Sequence, residues 1–442
     1  MKSKKTKMLS VVLAVLLSCI GIPFTAFASS DMNESTSEDL IQEINCAENG
    51  DTIYIDGTVV VDKVITVDKD ITLEGKNNAR LIRAKGYQDW MIDIRANVSM
   101  NDLSISGENE LADAGAVCVY EYAVFNMNSG SICYNKTYFS GAGIYNKGTV
   151  NIYDGIISNN TARVDGAGVY NRGTLNMFGG EIDFNKSENS GGGIYTSKLF
   201  NMSGGRIYNN TASQSGGGVI NTQETDYNIT QPQINISGGE ISCNTSEVEG
   251  GGICSLYGKI EISGGKINKN LACYGGSYIS NSTLLISGGE ITDNKAQLGG
   301  GLYCFYAECT MDGGIISNNR VPKCGAGVYN YHSYFTITDG EISSNIAFHK
   351  RRLNGVGGGM VNESSTLEMQ GGKIVNNTAD LFAGGVYNDY RSKCIKFSNA
   401  AIEENSPADI YDEPPFDESN FGVNNMISQV KGVDVSTDLY ID

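Results

Sequence analysis

Histidine and tryptophan are almost missing: the 442 residues hold two histidines, His332 and His349, and one tryptophan, Trp90. The cysteines show no C-x-x-C pair and no histidine at ligand spacing, which excludes the usual zinc frameworks. Positive charge is also scarce, with 32 lysines and arginines against 50 acids and a formal net charge of −18. Loss of four leader lysines takes it to −22. Such a field disfavours nucleic acid and adsorption to an anionic membrane by charge alone. Acidity suits divalent cations instead. Yet neither an EF-hand loop nor an Asp-bearing glycine nonapeptide is present, so calcium has no recognisable site and no cofactor is expected.

Glycine, by contrast, is abundant at 55 residues, and it is placed periodically. In Gly155 to Tyr170 (G-I-I-S-N-N-T-A-R-V-D-G-A-G-V-Y) a glycine is followed two residues later by Ile and five residues later by Asn. The motif recurs from Gly130/Ile132/Asn135 to Gly372/Ile374/Asn377, with a degenerate copy at Ala400/Ile402/Asn405, usually in steps of 25 residues. Two further runs accompany it. One is Gly-rich and ends in apolar-Tyr-Asn, as at Gly166 to Asn171. The other is an apolar-x-apolar triplet such as Val150/Ile152 or Leu175/Met177, whose second member lies three residues before the anchoring glycine.

Period-two alternation in short runs is a strand signal, and a fixed repeat of this length is one turn of a solenoid. The pattern predicts an all-β fold, a right-handed parallel β-helix with about 25 residues per coil. Eleven coils spaced ~4.8 Å apart would span roughly 50 Å. The Ile column is expected inside, and the Asn column at an inward bend where amides bond along the axis.

Residues 1–28 read as a secretory signal: Lys2, Lys4, Lys5 and Lys7, an apolar core from Met8 to Leu17, and Ala26-Phe27-Ala28 as cleavage site. A polar leader follows over 29–38. Within 39–110, Leu40, Ile41, Ile44 and Ala47 share one helical face, predicting a short cap over the first coil, followed by irregular coils. The regular array occupies 111–405. It is interrupted by insertions at 222–233 and 347–356, the second containing His349-Lys350-Arg351-Arg352. Each insertion reads either as a tolerated surface loop or as a place for added function. Ser406 to Asn420, with Pro407, Pro414 and Pro415, suits an exposed loop, and 406–442 forms a tail or cap. The signal implies export, so an extracellular or cell-surface protein is expected; no apolar tail, membrane span or barrel-sized stretch is found that would encode retention at a surface.

Candidate site residues are few. The column Tyr145, Tyr170, Tyr195, Tyr303, Tyr329 and Tyr387 should point outward, either as a binding stripe or as a self-stacking ladder covering the sheet. Glu181, Glu240, Glu290 and Glu341 share a column with Arg206, Lys266 and Lys373, which suits rung-to-rung charge pairing more than acid–base chemistry. Nothing resembles the aspartate trio of a polygalacturonase, and neither a catalytic set nor a metal set stands out. Cys118 and Cys254 occupy the Tyr column and Cys309 an apolar-triplet position, so packing and disulfide bonding both remain open.

At Ile157-x-x-Asn160-x-Ala162 followed by Gly166-Ala167-Gly168-Val169-Tyr170, the array resembles the F-x-x-N and G-G-A-[ILV] repeats of chlamydial polymorphic outer membrane proteins. It is similar also to the Gly-rich right-handed β-helix repeats of bacterial surface proteins. Ile stands where the chlamydial repeats have Phe, and Gly usually where they have Ala. The resemblance covers about residues 114 to 405. It implies a surface-exposed adhesin passenger, and no catalytic residues carry over from it. The expected role is structural or adhesive, toward an unspecified host or cell-surface glycan or protein. The alternative is a polysaccharide lyase or glycoside hydrolase acting on an acidic glycan.

Overall fold

The computed structural model describes residues 35–223, 231–348 and 355–414. The signal at 1–28, most of the leader, the centres of both insertions and the end of the tail lie outside them. The chain is an all-β parallel β-solenoid of about 14 turns, with ~25 residues per turn and a single short helix near its N-terminal end.

One coil shows how the sequence produces it. Strands Thr149–Ile152 and Ile156–Ser158 are followed by the two-residue strand Thr161–Ala162 and by Val169–Asn171. Each lies parallel on its counterpart in the next coil, pairing Val150 with Leu175, Ile157 with Ile182, Ala162 with Ser187 and Val169 with Ile194. The first two runs join a 25-stranded sheet, and the Gly-rich run joins a 14-stranded one. Three strands per coil are predicted by the alternation; the extra two-residue strand forms because Asn160 bends the chain and turns Ala162 inward, fully buried. Alternate apolar side chains fill the interior, with Phe125, Phe200 and Phe335 as its largest members.

The Asn column is a continuous internal ladder. From Asn135 to Asn405 each Nδ2 donates to the Oδ1 of the next coil's Asn at 2.9–3.1 Å. The same Oδ1 accepts the preceding coil's backbone N–H, as from Asn135 to Asn160 at 3.1 Å. These bonds satisfy amides that would otherwise be costly to bury. They also hold the preceding residue in the left-handed region, as at Asn159 (φ 55°), Phe184 (φ 50°) and Asn209 (φ 54°), at a cost on the order of 1 kcal/mol each. At the next corner Gly166 takes φ +60°, and a Cβ there would stand 2.7 Å from the Val169 carbonyl oxygen. Only glycine fits.

Helix α1, Ser37–Cys46, buries Ser37, Leu40 and Ile44 against the first coil. It starts three residues before Leu40, the first member of the apolar face read from sequence, because the Asp39 carboxylate accepts the Thr36 N–H at 3.3 Å and closes the N-terminus. Lys69 Nζ donates to the carbonyls of Ile44, Asn45 and Ala47 at 3.2, 2.6 and 2.8 Å, capping the other end. At the far end, the segment after Asn405 is expected as loop but supplies one more strand. Ile410–Asp412 pairs in parallel with Val386–Asn388, because Tyr411 falls in register with Tyr387.

Candidate functional site

The tyrosine column lies on the outer face of the 14-stranded sheet, yet its two halves differ. Tyr145, Tyr170 and Tyr195 are half-buried and stack at 5.1 and 4.7 Å between ring centroids, with Trp90 tilted against Tyr145 at 5.8 Å. Ile220 and Cys254 then interrupt the rings. Tyr278, absent from the sequence-derived set, resumes the stack with Tyr303 and Tyr329 at 5.3 and 5.0 Å. Val361 interrupts it again before Tyr387 stacks on Tyr411 at 5.4 Å.

In this second half Tyr303, Tyr329 and Tyr387 are only 8, 4 and 5% exposed. They are roofed by Leu298, Cys324, Val356 and Ala383 from the preceding turn, with Phe305 and Tyr331 packed alongside. A second apolar core thus sits outside the coil. Burial pushes the phenol pKa values of Tyr278, Tyr303, Tyr329 and Tyr387 upward, so they stay neutral; Tyr329 donates its hydroxyl proton to the buried Glu363 carboxylate.

Half-buried Glu249 lies where the stripe is broken and accepts the Ser215 hydroxyl at 3.0 Å. Desolvation raises its pKa above 4.5, against the lowering effect of hydrogen bonds from Ser215 and Tyr278. The native state therefore binds its proton more tightly than the unfolded chain. Stability from this group is greatest below pH 4.5 and declines as pH rises to the native value. Glu249→Gln is expected to flatten that part of a plot of urea midpoint against pH; an unchanged slope would assign it to other carboxylates.

The next corner opens into a groove of about 690 Å³. Its rings come from Tyr306, His332 and Tyr334 and its charges from Glu308, Arg391 and Lys393. Asn281, Tyr306, His332 and Ser364 occupy one column in the left-handed region, at φ 47°, 48°, 48° and 50°, which turns each side chain away from the coil. Tyr306 is 54% exposed and stacks on His332 at 4.9 Å with 12° between planes. A serine ladder fixes this geometry from beneath. Ser333 Oγ accepts the Ala307 N–H at 2.9 Å, Ser365 Oγ the Ser333 N–H at 2.9 Å, and Ser392 Oγ the Ser365 N–H at 3.1 Å. Arg391 is oriented by an ion pair of 3.1 Å to buried Asp389, which also accepts the Ser364 N–H at 2.9 Å. The groove thus offers two parallel flat rings, several hydroxyls and two cations over a rigid floor.

No family model and no curated protein matches this chain. Among solved structures it is similar to the A-module of the mannuronan C-5 epimerase AlgE6 from Azotobacter vinelandii. The identity is 12% and the TM-score 0.40, over 87% of this chain and all of that one.

Elsewhere the mixed charge column pairs between rungs, Glu181 with Arg206 at 2.5 Å and Lys266 with Glu290 at 3.0 Å. Among the described residues no three His, Cys, Asp or Glu side chains converge as a metal site, and no helix is long and apolar enough to cross a membrane. Cys243 and Cys273 lie on adjacent coils; the first is exposed and the second buried, and both are free thiols. His349 lies outside the described residues. The groove's signal in the sequence is faint: aromatic or polar residues two places after the end of the Gly-rich run (Asn146 and Asn171 in earlier coils), where those coils carry Gly148 and Gly173.

Proposed function

We propose that this protein is an exported β-helix with an adhesive role at a cell surface or in the surrounding medium, and that it contacts an anionic polysaccharide through the corner groove. The observation that carries this reading is the stacked Tyr306–His332 pair presented on the serine-anchored corner beside Arg391 and Lys393. Flat rings offer a face to sugar C–H groups, hydroxyls and amides meet sugar hydroxyls, and cations meet carboxylates or sulfates. On a chain of net charge −18, two cations in one groove select a ligand locally that the overall field would otherwise repel. The half-buried stack Trp90–Tyr145–Tyr170–Tyr195 is a second, flatter contact for the same kind of chain. The secretory signal and the likeness to surface-protein repeats support the location.

Titration of a panel of neutral and acidic polysaccharides into the folded chain tests this. Binding should favour the acidic members and weaken with salt. Tyr306→Ala with His332→Ala should lower affinity roughly tenfold or more, about 1.4 kcal/mol. Undiminished binding by that variant would remove the groove from the reading. A second reading, cleavage of the bound glycan, is favoured by Glu308, His332, Tyr334 and Arg391 lining one groove. New reducing ends or unsaturated products on the same panel would establish it in place of adhesion.

A further inference from the structure

Cys304 and Cys309 are both fully buried, and their sulfurs lie 2.9 Å apart inside one coil. Cys304 ends the inward side of strand Leu302–Phe305, and Cys309 opens the inward side of Glu308–Ser317. Between them runs the corner Phe305-Tyr306-Ala307-Glu308, of which the last three residues line the groove.

In two earlier coils this corner is locked by an amide. Asn146 and Asn171, in the column that Cys304 shares, accept the N–H groups of Gly148 and Gly173 at 3.0 and 3.2 Å. Asn146 Nδ2 also donates to Asn171 Oδ1 at 2.7 Å. A similar ladder resumes one coil beyond Cys304, with Asn330 donating to Asn362 and Asn362 to Asn388 at 2.9 and 3.0 Å. Ser255, Ile279 and Cys304 offer no amide, so the column is interrupted over three coils. The position opposite belongs to Leu284 in the preceding coil and Phe335 in the next. Among the described coils this corner alone has cysteine at both ends.

We propose that Cys304 and Cys309 form an intracoil disulfide that adds a covalent lock to the corner bearing Tyr306, whose Ala307 N–H is already held by Ser333 Oγ. A disulfide bond is about 2.05 Å long, so the sulfurs need approach by only about 0.9 Å. The two thiols lose two protons and two electrons as the S–S bond forms. The electrons reduce the disulfide of a thiol–disulfide oxidoreductase, the class of oxidant found in export compartments, to its dithiol. With both sulfurs sealed in the native coil, exchange takes place before that coil closes. Cys46, Cys133, Cys243 and Cys394, which are exposed or partly exposed, take no part.

The test uses the whole chain purified after export, unfolded in urea with an alkylating reagent and no reductant, then cut with trypsin. Lys295 and Arg320 bound the peptide Ala296–Arg320, whose only cysteines are Cys304 and Cys309. The expected peptide carries no alkyl group and is lighter than its dithiol form by two hydrogens. Cleavage after Glu308 should leave its halves joined until reductant is added. Alkylation of both cysteines without reductant, or linkage of either one to another cysteine, would overturn the proposal. As a second measurement, reductant should lower the thermal midpoint of the native chain and leave that of Cys304→Ala/Cys309→Ala unmoved. An equal response in both would also overturn it.

Discussion

Asn244→Ala is expected to cost about 4 kcal/mol and to unfold the middle of the solenoid well before its ends. The side chain is fully buried and sits at the centre of four hydrogen bonds. Its Oδ1 accepts the backbone N–H and the Nδ2 of Asn210 at 2.9 and 3.0 Å. Its Nδ2 donates to the Ile207 carbonyl at 2.8 Å and to Asn270 Oδ1 at 3.1 Å. Truncation to Ala leaves several partners buried without a substitute, and each such group costs roughly 1–3 kcal/mol. Because coils touch only their neighbours, the damage should be local. Hydrogen exchange should accelerate most in the coils of Asn210, Asn244 and Asn270. A useful contrast is Asn176, in a second, half-buried amide row on the outer face, where Asn176 Nδ2 donates to Asn151 Oδ1 at 2.8 Å. Water can replace that bond, so Asn176→Ala should cost only about 1 kcal/mol. Equal losses at the two sites would mean that burial of the inner row does not set its worth.

Gly173→Ala should cost about 3 kcal/mol, from the addition of one methyl group. A Cβ at this buried glycine would stand 2.0 Å from the Gly148 carbonyl oxygen and 2.9 Å from the Lys147 carbonyl carbon. Neither can step aside, since the same Gly148 oxygen accepts the Thr174 N–H at 2.9 Å and ties the two coils together. Relief therefore requires the coils to separate at this corner, an overpacking penalty at the upper end of the usual range. One coil further on, the corresponding place is taken by Lys198, whose side chain is exposed. Lys198→Ala should be close to neutral. Urea unfolding of the two variants, read by circular dichroism, checks both. A small loss for Gly173→Ala would show that the corner has room to give.

The solenoid was legible from sequence because each coil meets nearly the same neighbours above and below. Ile157 packs against Ile182 in register, and Asn160 must bond Asn185, so the same residue is demanded at every step and the repeat becomes visible. What happens on the outside follows no such rule. Period two places Tyr303 and Tyr329 outward correctly, but whether an outward ring meets water depends on the turn residues beside it. Leu298, Cys324 and Val356 roof the C-terminal rings, while Tyr145 and Tyr170 remain half-buried. The groove was hidden for a related reason. It depends on the left-handed backbone at Tyr306 and His332, residues that carry no strong turn signal, and on serines that assume their role only after the coils stack. The cysteine pair is likewise five residues apart in sequence and in contact only because a corner folds between its members.

The inner amide row also has an electrical sense. Every Nδ2 points to the coil that follows, and this orientation is fixed by the backbone: Asn160 Nδ2 donates to the Ile132 carbonyl at 2.9 Å while its Oδ1 accepts the Asn135 N–H. The side-chain dipoles therefore add head to tail, much as peptide units do along a helix. Their positive end emerges at Asn405, where the Asp409 carboxylate accepts both the backbone N–H and the Nδ2 at 2.9 and 3.0 Å. An anion thus terminates the column where a helix would carry its N-cap aspartate. The solenoid is a polar rod with unlike ends, and a flipped amide anywhere along it would set two donors face to face.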